Sequence, residues 1–140
     1  MSTFLLEIIT PERIAFSDQV EMIVVPGSEG VLGILPGHIP LFASLTEGEI
    51  KIVRKGEEYF LAIGSGFLEV SREKVIVLVT AADHQEEINE EEVLNAKKRA
   101  EEILSAKPTG AALSEAQALF KRSMIALKVL QRKRRSPIIS

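Results

Sequence analysis

Val24-Val25-Pro26-Gly27-Ser28-Glu29-Gly30-Val31-Leu32-Gly33-Ile34-Leu35-Pro36-Gly37-His38-Ile39-Pro40-Leu41 is the stretch on which the reading of this chain turns. Its glycines invite comparison with a phosphate cradle. Such a loop needs a Lys after its last Gly to meet phosphate charge, then Ser or Thr for Mg²⁺. Here Gly37 is followed by His38-Ile39, so the cradle reading is set aside. A chain of tight turns needs only residues that accept positive φ or preset it, which Gly and Pro supply. Yet Val31, Leu32, Ile34 and Leu35 make these turns more apolar than a solvated loop, which marks a segment covered in part by a partner.

Outward from this stretch, both sides read as short strands. Phe4 to Ile9, Val20 to Val25, Glu49 to Arg54, Glu58 to Ile63, Phe67 to Ser71 and Lys74 to Thr80 are rich in β-branched and aromatic residues and have ordinary strand lengths. Ile50 and Ile52 alternate with polar neighbours, as do Tyr59, Leu61 and Ile63 beyond Lys55-Gly56, where Gly allows a tight hairpin turn. A second turn falls at Ser71-Arg72-Glu73-Lys74. Short strands with frequent turns and no interposed helical pattern predict an antiparallel sandwich or barrel.

From about Asn89 the composition changes to Ala, Leu, Glu, Lys and Arg, all helix formers apart from the opening Asn. The boundary is expected within Asp83 to Ile88, dividing the chain into a sheet domain, 1–84, and a helical segment, 85–140. In the latter, Val93, Ala96, Ala100, Ile103 and Leu104 recur at helical spacing behind Asn89 as N-cap, with Glu90, Glu91 and Glu92 at the positive helix end. Lys107-Pro108-Thr109-Gly110 breaks the pattern. A second helix is predicted from about Ser114, with Gln117 completing a capping box and a stripe of Ala116, Leu119, Phe120, Ser123, Met124, Leu127 and Leu130; Pro137 stops it. Two such helices on a short link form an antiparallel hairpin with little core of its own. It must lean on something. Whether it docks permanently or exchanges partners is an equilibrium that a sequence leaves open.

The 140 residues suit one domain with an appendage, and 46% hydrophobic with 26% charged residues is a globular composition. No cysteine is present, which excludes disulfides, thiolate metal sites and a cysteine nucleophile. The start of the chain has no basic region ahead of a long apolar stretch, and no apolar run approaches the roughly 20 residues of a membrane span, so the expectation is a soluble, cytosolic chain. Residues 1–84 carry 6 basic and 12 acidic side chains, whereas 85–140 carry 11 and 8. After Glu115 there is no acidic residue at all.

Catalytic readings are weak. His38, Asp83, His84 and scattered serines lack a nucleophile elbow or triad arrangement. His84 has no second His at ligand spacing and reads as part of a solvated linker. The basic end suits nucleic acid, an anionic membrane or an acidic protein surface. One Tyr and no Trp provide little for base stacking, and Ile138-Ile139 is a meagre membrane anchor. An acidic protein partner is left as the best reading.

Val24 to Gly30 continuing through Gly33 to Leu41, then Gly64-Ser65-Gly66-Phe67-Leu68-Glu69-Val70, Val75 to Thr80 and Ala96-Lys97-Lys98-Arg99-Ala100-Glu101 stand in an order that resembles the epsilon-subunit family of bacterial and chloroplast F-type ATP synthases. The resemblance covers nearly the whole chain. It implies an α+β fold, a flattened β-sandwich of about ten strands followed by a two-helix C-terminal domain. It also implies a non-catalytic, cofactor-free rotor subunit whose sandwich binds the gamma subunit and the c-subunit ring, peripheral at the cytoplasmic face of a bacterial plasma membrane or at a thylakoid. Gly30, Val31, Leu32, Gly33, Ile34, Leu35 and His38 would then face stalk and ring. The helices would fold against the sandwich or extend along gamma to the alpha/beta head, where Arg122, Lys128, Arg132, Lys133, Arg134 and Arg135 meet acidic beta-subunit loops and restrain ATP hydrolysis.

Some members of that family sense ATP through an Ile/Leu-Asp-two variable residues-Arg-Ala motif. Here Glu91, Glu92 and Asn95 stand in place of its aliphatic residue, Asp and Arg, and only Ala96 matches. Arg122 resembles a further nucleotide contact, but Ala126 follows one turn later where a second basic residue is wanted. Of the candidate contacts Glu92, Ala96 and Arg122, only the last carries a positive charge, so weak or absent ATP binding is expected. The alternative to the stalk reading is a free-standing interaction module with a basic helical arm for nucleic acid or an acidic protein.

Overall fold

The computed structural model describes residues 2–132. Ten strands precede two helices: β1 Phe4–Ile9, β2 Ile14–Val20, β3 Met22–Gly27, β4 Gly30–Ile34, β5 Leu41–Leu45, β6 Gly48–Arg54, β7 Glu57–Ile63, β8 Gly66–Val70, β9 Lys74–Val79, β10 Ala82–His84, α1 Glu90–Ser105 and α2 Gly110–Leu130. The strands form one continuous sheet in the order β10-β7-β6-β3-β5-β8-β9-β1-β2, with β4 attached to β3. It curls over a single core. Alternation decides which side chains enter: Leu6 and Ile8, Ile50 and Ile52, Leu61 and Ile63, Val75 and Val77 all point inward, with Phe16, Ile23 and Leu68 among them. Lys55 at φ 52° and Gly56 at φ 79° turn the β6–β7 hairpin, the double positive-φ geometry whose twist suits two strands.

The ten strands and two helices agree with the expected class, and three particulars depart from the sequence reading. The sheet is not wholly antiparallel, since β1 pairs with β9 in parallel, Leu6 opposite Val75. No crossover helix is needed there, because the entire intervening sandwich serves as the connection. Second, Gly30–Ile34, read as turns, is strand β4, with Val24 opposite Gly33 and Val25 opposite Leu32. Third, α2 begins at Gly110, so Ser114 and Gln117 lie inside the helix, and Thr109 occupies the N-cap position without a side-chain bond. Asn89 does cap α1, its side-chain oxygen accepting from the Glu92 amide at 3.0 Å.

The two ends of the sheet path meet. His84, read as a linker residue, is 1% exposed, and its Nε2 donates to the Ala15 carbonyl at 2.6 Å, tying edge strand β10 to edge strand β2. Arg13 strengthens the seam by donating to the Ala82 carbonyl at 2.8 Å and to both carboxylate oxygens of Glu87 at 2.7 and 2.8 Å. Open sheet edges invite pairing with other chains, and these side-chain bonds cover part of both. Glu87 also accepts from the His84 amide at 2.9 Å. The short 3₁₀ turn Gln85–Glu87 therefore belongs to the sandwich rather than to a loose linker.

α1 packs chiefly on α2, and α2 is the helix that lies against β6 and β7. Only Ala100 of α1 is buried, with Ala116, Ser123 and Val129 of α2. Leu94, Ile103 and Met124 remain exposed, so the hairpin buries little apolar surface for its length.

Candidate interaction surfaces

The apolar turn segment presents part of its length outward. Val31 is 74% exposed and Leu35 57%, with Gly30 and Gly33 also at the surface. Ile34 is not available to a partner, since it is buried in the core, and half-buried Leu32 packs against that core. The difference follows from strand alternation: within β4, successive side chains take opposite faces. His38 closes a turn by donating its amide to the Leu35 carbonyl at 3.1 Å, and its Nδ1 donates to the Ile39 carbonyl at 2.7 Å. With Nδ1 committed as a donor, the ring is held as a structural element of the turn.

The exposed apolar surface continues beyond the predicted residues. Val31 and Phe42 line one concavity of about 580 Å³ together with Gly30, Leu41 and Ala43. Phe42 on β5 stacks on Phe67 of β8, ring centroids 5.5 Å apart at 25°, and Phe67 lies opposite Leu78 of β9. All three are half or more exposed, or nearly so. Together they make an apolar stripe from β4 across β5 and β8 to β9. Sequence reasoning did not assign Ile39, Phe42, Phe67 and Leu78 to the surface. A signal existed in Phe67-Leu68 and Val77-Leu78-Val79, where apolar residues occupy both faces of one strand. A half-solvated antiparallel strand should alternate with polar residues, so the outward apolar members call for a cover.

The basic residues separate into two groups. Arg122 and Lys128 are exposed on α2. Arg132, just past α2, is engaged: its Nε and Nη2 donate to the two carboxylate oxygens of Glu49 at 3.0 and 2.6 Å, and its guanidinium lies 4.5 Å from the Phe60 ring centroid. The Glu49 side chain is 10% exposed. Hydrogen bonding to Glu49 holds the Arg132 pKa above the usual arginine value. Lys133, Arg134, Arg135 and Pro137 lie outside the described residues.

For nucleotide, the candidate residues do not share a site. Arg122 lines a cavity of about 300 Å³ between α2 and the sheet with Glu47, Ser65, Thr80, Asp83 and Ile125, a lining that includes neither Glu92 nor Ala96. Burial pushes the Asp83 carboxyl above its ordinary value, assisted by nearby Glu87. Two carboxyl groups in that cavity oppose a polyphosphate. Among the described residues there is no group of three or more His, Asp or Glu placed to hold a metal ion, and no helix long and apolar enough to cross a membrane.

Comparison with known proteins accounts for nearly all of the chain. Residues 3–85 match the family model for the ATP synthase delta/epsilon chain β-sandwich domain, and residues 86–131 match that for its long α-helix domain. The ATP synthase epsilon chain of Dehalococcoides mccartyi is 41% identical over 138 residues, covering 98% of this chain and 99% of the relative. That of Caldicellulosiruptor saccharolyticus is 38% identical, covering 96% and 98% respectively. In fold, the chain is similar to one in the Euglena gracilis mitochondrial ATP synthase structure containing OSCP, F1 and c-ring, with TM-score 0.68 at 22% identity over 94% of this chain and 79% of that one. Both domains, in the right order and at full relative length, point one way: the chain belongs to the ATP synthase delta/epsilon family, on its epsilon-chain branch.

Proposed function

We propose that this protein is a non-catalytic central-stalk subunit of an F-type ATP synthase, which seats its sandwich on the gamma subunit and the c-ring and uses its C-terminal helices to restrain ATP hydrolysis. The observation that carries the first part is the apolar stripe of Val31, Phe42, Phe67 and Leu78, to which the exposed Leu35 and Ile39 of the following turn add. Solvent-exposed strands gain nothing from such residues unless another surface covers them. The second part rests on the helical hairpin, whose α2 lies against β6 and β7 and which carries Arg122, Lys128 and Arg132. The subunit would be peripheral, held at the cytoplasmic face of the membrane by the complex.

ATP is not part of this proposal, since Asn95 and Ala126 stand where fixed cations are wanted and Arg122 shares its cavity with two carboxyl groups. A free-standing nucleic-acid module is disfavoured by the match across both domains and by the acidic sandwich.

The decisive experiment adds the full chain, or the chain truncated after Ile88, to the cognate catalytic head reconstituted with gamma, and measures ATP hydrolysis. Binding by both with inhibition by the full chain alone is the expected result. Failure of either to bind gamma would overturn the stalk assignment, and inhibition unaffected by truncation would overturn the role of the helices.

A further inference from the structure

The hairpin meets the sandwich with few apolar contacts, yet at one place it is held by a dense polar cluster. Gln85 Nε2 donates to the Val129 carbonyl at 2.9 Å, which also accepts from the Arg132 amide at 3.1 Å, and to the Arg132 carbonyl at 2.7 Å, just past the end of α2. Immediately beside it, Arg132 grips Glu49 of β6 with two hydrogen bonds and covers Phe60 of β7. The sandwich half of the cluster is tied into the sheet. Gln85 follows His84, which is anchored to Ala15, and precedes Glu87, which is anchored to Arg13. Beyond Glu87, Ile88 donates its amide to the Gln85 carbonyl at 3.3 Å and is extended, ahead of the Asn89 cap.

We propose that Gln85 and Glu49 form a clasp on the last turn of α2, and that Glu49 is an internal competitor which keeps Arg132 from the carboxylates of an acidic protein surface. This inference rests on the proposed restraint of hydrolysis by the helices and names its control point. In the docked form Arg132 commits its Nε–Nη2 edge to Glu49 and lays its guanidinium on Phe60, so an outside carboxylate takes that edge only when Glu49 gives it up. Docking of the hairpin and capture of that edge by an outside carboxylate therefore compete. The clasp is also reversible in physical terms. When α2 lifts, water reaches Glu49 and the Gln85 amide, so neither is left buried and unpaired. The equilibrium then responds to any carboxylate that competes for Arg132.

The test uses the full chain as parent, E49Q, Q85L and the charge exchange E49R/R132E. Amide hydrogen exchange is followed by strand and helix. E49Q and Q85L should each accelerate exchange in α1 and α2 by about ten- to a hundred-fold, leaving β3, β6 and β7 as protected as in the parent. The charge exchange should restore much of the protection, which a merely disrupted helix end would not do. Unchanged α2 protection in E49Q, or loss that spreads equally through the strands, would overturn the clasp. The same proteins are then titrated into the gamma-containing head. E49Q should inhibit at lower concentration than the parent, and R132A should remove that advantage. Faster exchange in E49Q without any shift in the inhibitory concentration would overturn the competition between Glu49 and the partner, whereas the proposed function is judged separately by the truncated chain.

Discussion

Replacing Val31 and Phe42 together by Thr should detach the sandwich from gamma without unfolding it. Thr suits a strand and retains β-branching, so the backbone of β4 and β5 is not challenged. Val31 is 74% exposed and Phe42 66%, so most of each side chain is available for burial by a partner. Full burial of such a side chain is worth about 1.5–3 kcal/mol, and the exposed share of each corresponds to about 1–2 kcal/mol. Thr keeps part of that area, and an interface converts area to affinity incompletely, which brings the expected loss for the pair to about 1.5–3 kcal/mol, or about a ten- to hundred-fold rise in Kd. The assay is surface-immobilised gamma-containing head titrated with parent and variant chains. Within the variant the Phe42–Phe67 stack is also lost, which lowers stability by about 0.5–1.5 kcal/mol, so urea unfolding supplies the control. A Kd within threefold of the parent, with the variant still folded, would refute the assignment of this stripe to the stalk.

Further outcomes follow from individual residues. Gly66→Ala should destabilise the sandwich by about 1–3 kcal/mol or more in urea, because its Cβ would sit 1.9 Å from the Leu78 carbonyl oxygen, a backbone atom that no rotamer change moves. Gly33→Ala, whose Cβ meets nothing within 4 Å, should change the same midpoint little. His84→Leu deprives the buried Ala15 carbonyl of its donor and should lower unfolding free energy by about 1–3 kcal/mol, whereas a solvated linker residue would leave it unaltered. On acidification, Glu87 should contribute in a definite sense: Arg13 hydrogen bonding holds its pKa below the ordinary value of 4.5, so its stabilising share is present above that value and is lost as pH falls through the depressed one. Asp83, raised by burial and by Glu87, works oppositely, its destabilising share vanishing as pH falls; a urea-midpoint profile of Glu87→Gln made in an Asp83→Asn background, against Asp83→Asn alone, removes that share and should show a shallower acid loss, and identical profiles would refute the Arg13 linkage. Isothermal titration of the isolated chain with ATP should give no tight complex, and one that bound strongly would refute the reading of Asn95 and Ala126.

Strand and helix classes were legible because their periods are local. Leu6 and Ile8, or Leu61 and Ile63, announce a two-residue repeat, and Asn89 with three following glutamates announces a helix start. Four strands were harder. β2 interrupts its pattern with Ser17, Asp18 and Gln19, β4 carries two glycines, β5 is a short run of five residues, and β10 has only three residues. Each is held by its neighbours more than by its own propensity, as expected when tertiary context overrides a weak local preference.

Six of the ten strands, the helical hairpin and the family resemblance were thus determined by residue pattern alone, since turn chemistry and periodicity act between neighbours in the chain. Which His is a core residue, which apolar side chains face outward together, and which of several similar cations is engaged were decided only in three dimensions. His84 finds Ala15, 69 residues away, and Arg132 finds Glu49, 83 residues away. Phe42, Phe67 and Leu78 become one surface only when β5, β8 and β9 lie side by side. Hydrogen bonds and apolar cover act over a few ångströms in space, and for pairs so distant in sequence only the folded sheet supplies that proximity.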